Sequence, residues 1–400
     1  MTRVRPFFLF LMMLAVSIPA MGAGATANDT WVETDQQEFS VDGIPIALSP
    51  DGKWLAGTGL EKDFCIWSIP DLGEYCDDAG IRPREDTVNW SPDSSAVAFS
   101  DDPALYLVDS DIMIFDVASK QISNLTDDPD EVQEPDVFST EPGITHADIY
   151  PMWSADGETL YFVRGDFGNE RKTTEVMSLD LASGEISPYF TVSPDLWFIV
   201  YSAMYETPDG SLLISVYNYD GNDGQNGIWR IAPGGSRIDP VLLSGSDETL
   251  AAIAVSDVST DGTTAVVVSQ IGLSTGQSEV SPFMVLDLVT GEVVSVPDQS
   301  DELPWTAISG YPQFIGTGSE FAYQVTYPDS AEREILIGGT DSYPLVESLD
   351  EKYIRGIQVT DAGTLLVRGA DGFFLIVATE TTADESTPIA PCSCAPPEGN

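Results

Sequence analysis

One phrase recurs seven times along this 400-residue chain, and few folds can accommodate it. In its fullest form it reads Tyr150-Pro151-Met152-Trp153-Ser154-Ala155-Asp156-Gly157-Glu158-Thr159-Leu160-Tyr161-Phe162-Val163: an apolar run, a tight turn, and a second, alternating run. The other copies turn at Pro50-Asp51-Gly52, Pro92-Asp93-Ser94, Pro208-Asp209-Gly210, Thr260-Asp261-Gly262, Gly316-Thr317-Gly318 and Asp361-Ala362-Gly363. Asp before Gly suits such a turn, because the carboxylate accepts nearby backbone N–H groups and Gly tolerates positive φ. Pro ahead of it presets φ at the first turn position. The sixth copy has lost both Pro and Asp, and the seventh separates Asp361 from Gly363, so these two units are expected to be the looser ones.

Each copy leads into further β-rich runs, such as Ile112-Met113-Ile114-Phe115, Val176-Met177-Ser178-Leu179 and Phe283-Met284-Val285-Leu286. Turns such as Ala182-Ser183-Gly184-Glu185 then open a fourth strand. Four short strands recurring every ~40–60 residues mark propeller blades. No window holds a helical apolar period, so little helix is expected. The spacing predicts an all-β fold: a β-propeller of seven blades, each of four antiparallel strands, with six or eight blades also compatible. A β-sandwich would have to explain seven like-spaced turns. The run after Phe373 ends in a poor strand, which leaves Trp31–Phe39 to supply the outer strand of the last blade and close the ring.

The ends of the chain read differently. Arg3 and Arg5, the uncharged apolar run Phe7–Ile18 and small residues at Ala23-Gly24-Ala25 and Ala25-Thr26-Ala27 form a secretory signal pattern over residues 1–27. The run is too short to span a bilayer, which takes about 20 residues. The propeller is expected over 28–383, and a disordered tail rich in Pro and small polar residues over 384–400. A secreted or periplasmic product without stable membrane insertion follows from this pattern.

Charge excludes one class of partner. With 65 acidic against 16 basic residues, and a formal net charge of −49, the chain repels nucleic acid, whose binding requires Lys and Arg to neutralise phosphate. Two readings of the acid excess stay open: a solvated surface suited to a salty medium, and cation binding.

Trp90-Ser91-Pro92-Asp93, Trp153-Ser154-Ala155-Asp156-Gly157 and the upstream Asn124-Leu125-Thr126-Asp127-Asp128 resemble the WD-like propeller repeat of TolB-type proteins. Similar repeats build the propellers of prolyl-oligopeptidase-like and tricorn-like peptidases. The resemblance covers residues ~44–380 and speaks to fold, since one fold hosts many functions. It implies that the Asp-Gly turn joins the innermost strand to the second on one face. The second-to-third and blade-to-blade links then crowd the other face, where function usually resides.

Candidate residues follow from that arrangement. Arg82, Arg84, Arg164, Arg171 and Lys172 fall in links of the first three blades on the loop-rich face, with the only histidine, His146, between them. Such a cationic island on an acidic protein suits a small anionic ligand or an acidic segment of a protein partner. Ordinary ion pairing with neighbouring Asp and Glu is the alternative. His146 has Asp148 as a potential orienting partner for general-base chemistry. Calcium is the candidate cofactor, with Asp220, Asn222 and Asp223 as clustered oxygen ligands that depart from the twelve-residue calcium loop. Cys65 and Cys76 flank Pro70-Asp71-Leu72-Gly73; they oppose each other if Pro70-Asp71 is the loop, whereas a longer loop that takes in Gly73 shifts the register. Cys392 and Cys394 are too close for an unstrained bridge. No Gly-x-Ser-x-Gly elbow and no peptidase domain accompany the repeats. The chain thus reads as an exported binding or scaffold module acting through its loop-rich face. The alternative is a propeller-type hydrolase or lactonase with a calcium site, which requires three or more carboxylates converging at the channel mouth.

Overall fold

In five copies of the repeated phrase the turn closes identically. The hydroxyls of Ser49, Ser91, Ser154, Thr207 and Ser259 donate to the Asp two residues on, at 2.6–2.8 Å. The same Asp oxygen accepts the backbone N–H of Lys53, Ser95, Glu158, Ser211 or Thr263. These bonds hold the carboxyls below the ordinary 3.8: Asp93 chiefly through Ser95, Asp156 through Ser154, Asp209 through Thr207, Asp261 through the Thr263 N–H. At Asp51 burial pushes upward, and the bonds from Lys53 and Ser49 outweigh it.

The computed structural model describes residues 30–61, 63–77, 80–101, 110–127, 147–165, 174–192, 204–216, 226–243, 253–269, 283–295, 312–316, 320–326, 333–338, 343–349, 356–360, 363–368 and 373–381. Residues Trp31–Thr379 form one unit; Met1–Thr30 and Glu380–Asn400 group separately and lie almost wholly outside the described residues. The unit contains seven four-stranded sheets, each with strands in chain order except the last. Blade 1 comprises Gly43–Leu48, Trp54–Gly59, Phe64–Ser68 and Glu74–Cys76. Blades 2 to 6 open at Asn89–Trp90, Ala147–Trp153, Tyr205–Glu206, Ile253–Val258 and Gln313–Phe314. Blade 7 uses Gly356–Val359, Thr364–Arg368 and Phe373–Thr381, then takes its outer strand from the other end of the chain, Thr30–Phe39. This is the ring closure expected from the weak final strand. Among the described residues the only helical turns are two 3-10 segments, Glu85–Thr87 and Pro233–Gly235.

Apolar clusters glue successive blades. Ala56, Phe64, Phe99 and Phe115 join blades 1 and 2; Ala98, Ile112, Leu160 and Phe162 join 2 and 3. The closing strand adds Trp31 to the cluster of blades 6 and 7. At Gly316 the indole occupies space that other copies fill with Pro50, Pro92, Ala155, Pro208 or Thr260. A Cβ built on Gly316 would come within 2.5 Å of the Trp31 ring, and one on Gly363 within 2.6 Å. The sixth turn has departed from the repeat where Trp31 must fit, while Gly363 keeps the repeat's own glycine position.

A second set of links runs around the innermost strands. Two residues before the turn Ser or its equivalent, one side chain reaches the backbone of the next blade. Asn89 donates to Pro151 O, Tyr205 to Ser256 O, while Asp257, Gln313 and Gln358 accept the N–H of Phe314, Val359 and Leu48. Blades 1 and 3 have Ala47 and Met152 there, whose side chains cannot make the bond; Trp90 Nε1 donates back to Ala47 O at 3.2 Å, as Trp153 does to Asn89 O at 3.1 Å.

Candidate functional site

Strand order places the first-to-second turns on one face and the second-to-third links and blade crossovers on the other. On that second face, between blades 1 and 2, lies a half-open cavity of about 680 Å³. Its floor is the end of the first hairpin, Gly43, Ile44, Thr58 and Gly59, with Leu60 at the rim, 76 % exposed. Its wall is the crossover Arg82-Pro83-Arg84-Glu85-Asp86. That wall is fixed to blade 2: Pro83 bridges Asp101, and the Arg84 N–H donates to Ser100 O.

The guanidinium of Arg84 is committed. It holds Asp86 through Nε at 2.6 Å and a second nitrogen at 3.1 Å. Burial nonetheless raises the Asp86 carboxyl above its ordinary value, against the pull of Arg84. The Tyr150 hydroxyl donates to the same carboxyl at 3.5 Å. Tyr150 gets there by a bulge between Ile149 and Met152, with φ of +57°, a strained conformation for a tyrosine. Pro151, which has no N–H to give the ladder, explains why the strand breaks there.

Arg164 is committed as well. It makes a two-pronged pair with Asp148, 2.8 and 2.6 Å, directly across the first hairpin of blade 3. Asp148 is 1 % exposed, and burial raises its carboxyl despite Arg164, with the Asp111 charge adding in the same direction. Asp111 itself receives Asn124 and Thr126 at 2.7 and 3.2 Å. Hydrogen bonds run on from Asp111 to Asp101, and so to the cavity wall.

Of the predicted cationic island, Arg82 and Arg84 line the cavity, and Arg164 stands at the neighbouring blade, paired with aspartate. His146, Arg171 and Lys172 lie outside the described residues, as do Asp220, Asn222, Asp223, Cys392 and Cys394. Asp148, the partner expected for His146, accepts from Arg164 with both oxygens. Cys65 and Cys76 are bridged and directly opposed in the ladder. The loop is longer than Pro70-Asp71: Ser68 pairs with Gly73. It grew by one residue on each side, so the register that a lopsided extension would have shifted is kept. Asp86 and Tyr150 were missed, although Pro151 within an apolar run was a visible sign of a bulge.

In the inner-strand region of blades 5 to 7 a second cavity of about 150 Å³ is lined by Asp257, Thr260, Gln313 and Gln358. Asp257 is the one carboxylate there among the described residues, and its oxygens accept the N–H groups of Val258 and Phe314. Among the described residues the one group with metal-like spacing is Cys65, Glu74 and Cys76, whose sulfurs are already joined to each other. No described helix is long and apolar enough to cross a membrane.

These features define a β-propeller. Solved structures of similar fold carry the same class. The β-propeller domain of the trilobed protease from Pyrococcus furiosus, described as having an open velcro topology, matches at TM-score 0.53 and 13 % identity, over 88 % of this chain and 98 % of that one. An oligogalacturonate lyase in complex with manganese matches equally, and one from Vibrio parahaemolyticus at 0.54 and 11 %, over 88 % and 85 %. TolB from Acinetobacter baumannii gives 0.43 and 15 % over 74 % of this chain; the chain spans 65 % of that TolB's length. No family model matches the chain, and no curated protein matches its sequence.

Proposed function

We propose that this chain is an exported β-propeller that works as a binding module through its loop-rich face. Its blade 1–2 cleft takes a small ligand with an apolar body and an anionic end. The observation that carries this reading is the cleft itself, with Ile44, Leu60 and Pro83 offering apolar surface beside the Arg82 guanidinium. Clefts of several hundred cubic ångströms with few polar anchors are the usual form of small-molecule sites. Arg82, on the crossover that walls the cleft, is the cation assigned to the anionic end. For a larger protein partner the proposal adds Arg171, Lys172 and His146. The signal pattern over residues 1–27 and the Cys65–Cys76 bridge support export to an oxidising compartment. Calcium at Asp220, Asn222 and Asp223 is a separate part of the proposal.

The test is titration calorimetry with decanoate and with decanol as probes, on the wild type and Arg82→Ala. Decanoate should bind, and the variant should lose about tenfold or more in affinity, the worth of one charge-assisted hydrogen bond. Equal binding to both proteins would exclude the cleft as an anion site.

A further inference from the structure

Blade 1 ends in an outer strand of only three residues, Glu74–Cys76, and the cleft wall begins at Arg82 after five intervening residues. That start is tied down at one point. Cys76 is bridged to Cys65, and the neighbouring Phe64 receives the Asp77 N–H and donates its own N–H to Ile81 O, each at 2.9 Å. Arg82 and Pro83 of the wall follow Ile81 without a gap.

The bridge also backs the cleft floor. Gly59 lines the cleft, and a Cβ built on it would lie 2.6 Å from Cys65 Sγ and 3.4 Å from Cys76 Sγ. Only a residue without a side chain fits between sulfur and cavity. Bonded sulfurs stand about 2.05 Å apart, whereas two thiols must separate well beyond that distance. Cys65 is fully buried, so the separation has to be taken up by Gly59 or by the short strand that carries Cys76.

We propose that the Cys65–Cys76 disulfide is a latch that forms the cleft, so that the site is open for binding in the oxidised protein and dismantled in the reduced one. This rests on the cleft reading and adds its regulation. Reduction by a small dithiol runs through Cys76, the more accessible sulfur. The reductant thiolate attacks Cys76 Sγ, and Cys65 leaves as a thiolate that takes a proton. The second reductant thiol then releases Cys76 as a thiol, so two electrons and two protons pass to the protein and the reductant becomes a disulfide. Formation is the reverse, with a disulfide oxidant of the export compartment. A chain still in a reducing cytoplasm would therefore carry an unformed cleft and acquire it on export.

The experiment compares the oxidised full-length protein with the same folded protein treated with dithiothreitol, by hydrogen exchange and by decanoate titration. Reduction should speed exchange at Gly59, Asp77, Ile81 and Arg84 by about tenfold or more, leave the blade 5 strands unchanged, and abolish decanoate affinity. Unchanged exchange at those amides would overturn the latch, and so would a uniform acceleration in all blades, which marks a global staple. If decanoate binds neither form, the cleft reading fails, while the exchange pattern still decides the latch.

Discussion

Trp31→Ala tests how the ring is closed. The indole is 8 % exposed and sits among Ile315, Ala322, Ile337, Leu365 and Phe374. A buried Trp covers about 150–250 Å², worth ~4–6 kcal/mol at 25 cal/mol/Å². Truncations of this kind cost about 3–5 kcal/mol after partial collapse of the cavity. An unfolding entropy of roughly 2.1 cal/mol/K per residue over ~350 residues is about 0.7 kcal/mol/K, so Tm should fall by about 5 °C. Urea denaturation followed by circular dichroism measures the first figure and a thermal scan the second. Gly316→Ala sharpens the test, because the nearest atoms to its new Cβ belong to Trp31, at 2.5 and 3.2 Å. It should cost at least about 1 kcal/mol more in the wild type than in the Trp31→Ala background, a coupling typical of residues in contact. A loss under ~1 kcal/mol from Trp31→Ala, or equal Gly316→Ala costs in both backgrounds, would refute the assigned packing.

Acid should be tolerated further than the acidic composition suggests. The turn carboxylates Asp51, Asp93, Asp156, Asp209 and Asp261 are held below 3.8 in the folded chain, so their stabilisation is present above that value and lost as pH falls beneath it. Asp86 and Asp148 are raised, and their protonation adds stability as pH falls toward 3.8; Tm should therefore hold or rise from neutrality to mild acid and drop steeply only below 3.8. A steady decline starting at neutrality would contradict this. Arg164→Met leaves Asp148, 1 % exposed, without its counter-ion and should cost about 3 kcal/mol in urea melts, with much of it recovered in Asp148→Asn/Arg164→Met; equal losses in both variants would argue against the ion pair. Millimolar calcium should raise Tm in the wild type and not in Asp220→Ala/Asp223→Ala, and an identical response would remove those residues as ligands.

The architecture was legible because the physics of a blade is local. Ser154, Asp156 and Gly157 write their turn into adjacent positions, and repetition of that turn sets the period of the sheets. Even the pairing of the chain ends could be read, because one strand was weak and another unassigned. The site was less legible. Asp148 and Arg164 stand 16 residues apart and meet only through the hairpin register, and Asp86 finds Tyr150 only because a bulge turns the ring out of the strand. A positive cluster in sequence therefore became, in space, Arg84 and Arg164 each paired with an aspartate, and Arg82 on the wall of a cleft. The fit of Trp31 against Gly316 and Gly363 depends on contacts across nearly the whole chain, which no local pattern encodes.

The inner-strand links carry a further consequence. Asn89, Tyr205, Asp257, Gln313 and Gln358 all bind main-chain groups of the following blade, and none of these bonds depends on which side chain the neighbour displays there. Every blade offers the same peptide groups, so the joint is generic. Duplication, loss or exchange of a blade during descent would leave these joints satisfied, and the constraint on ring size would fall on the one feature that is not interchangeable: the fit of Trp31 against the sixth turn, where Gly316 makes room for it.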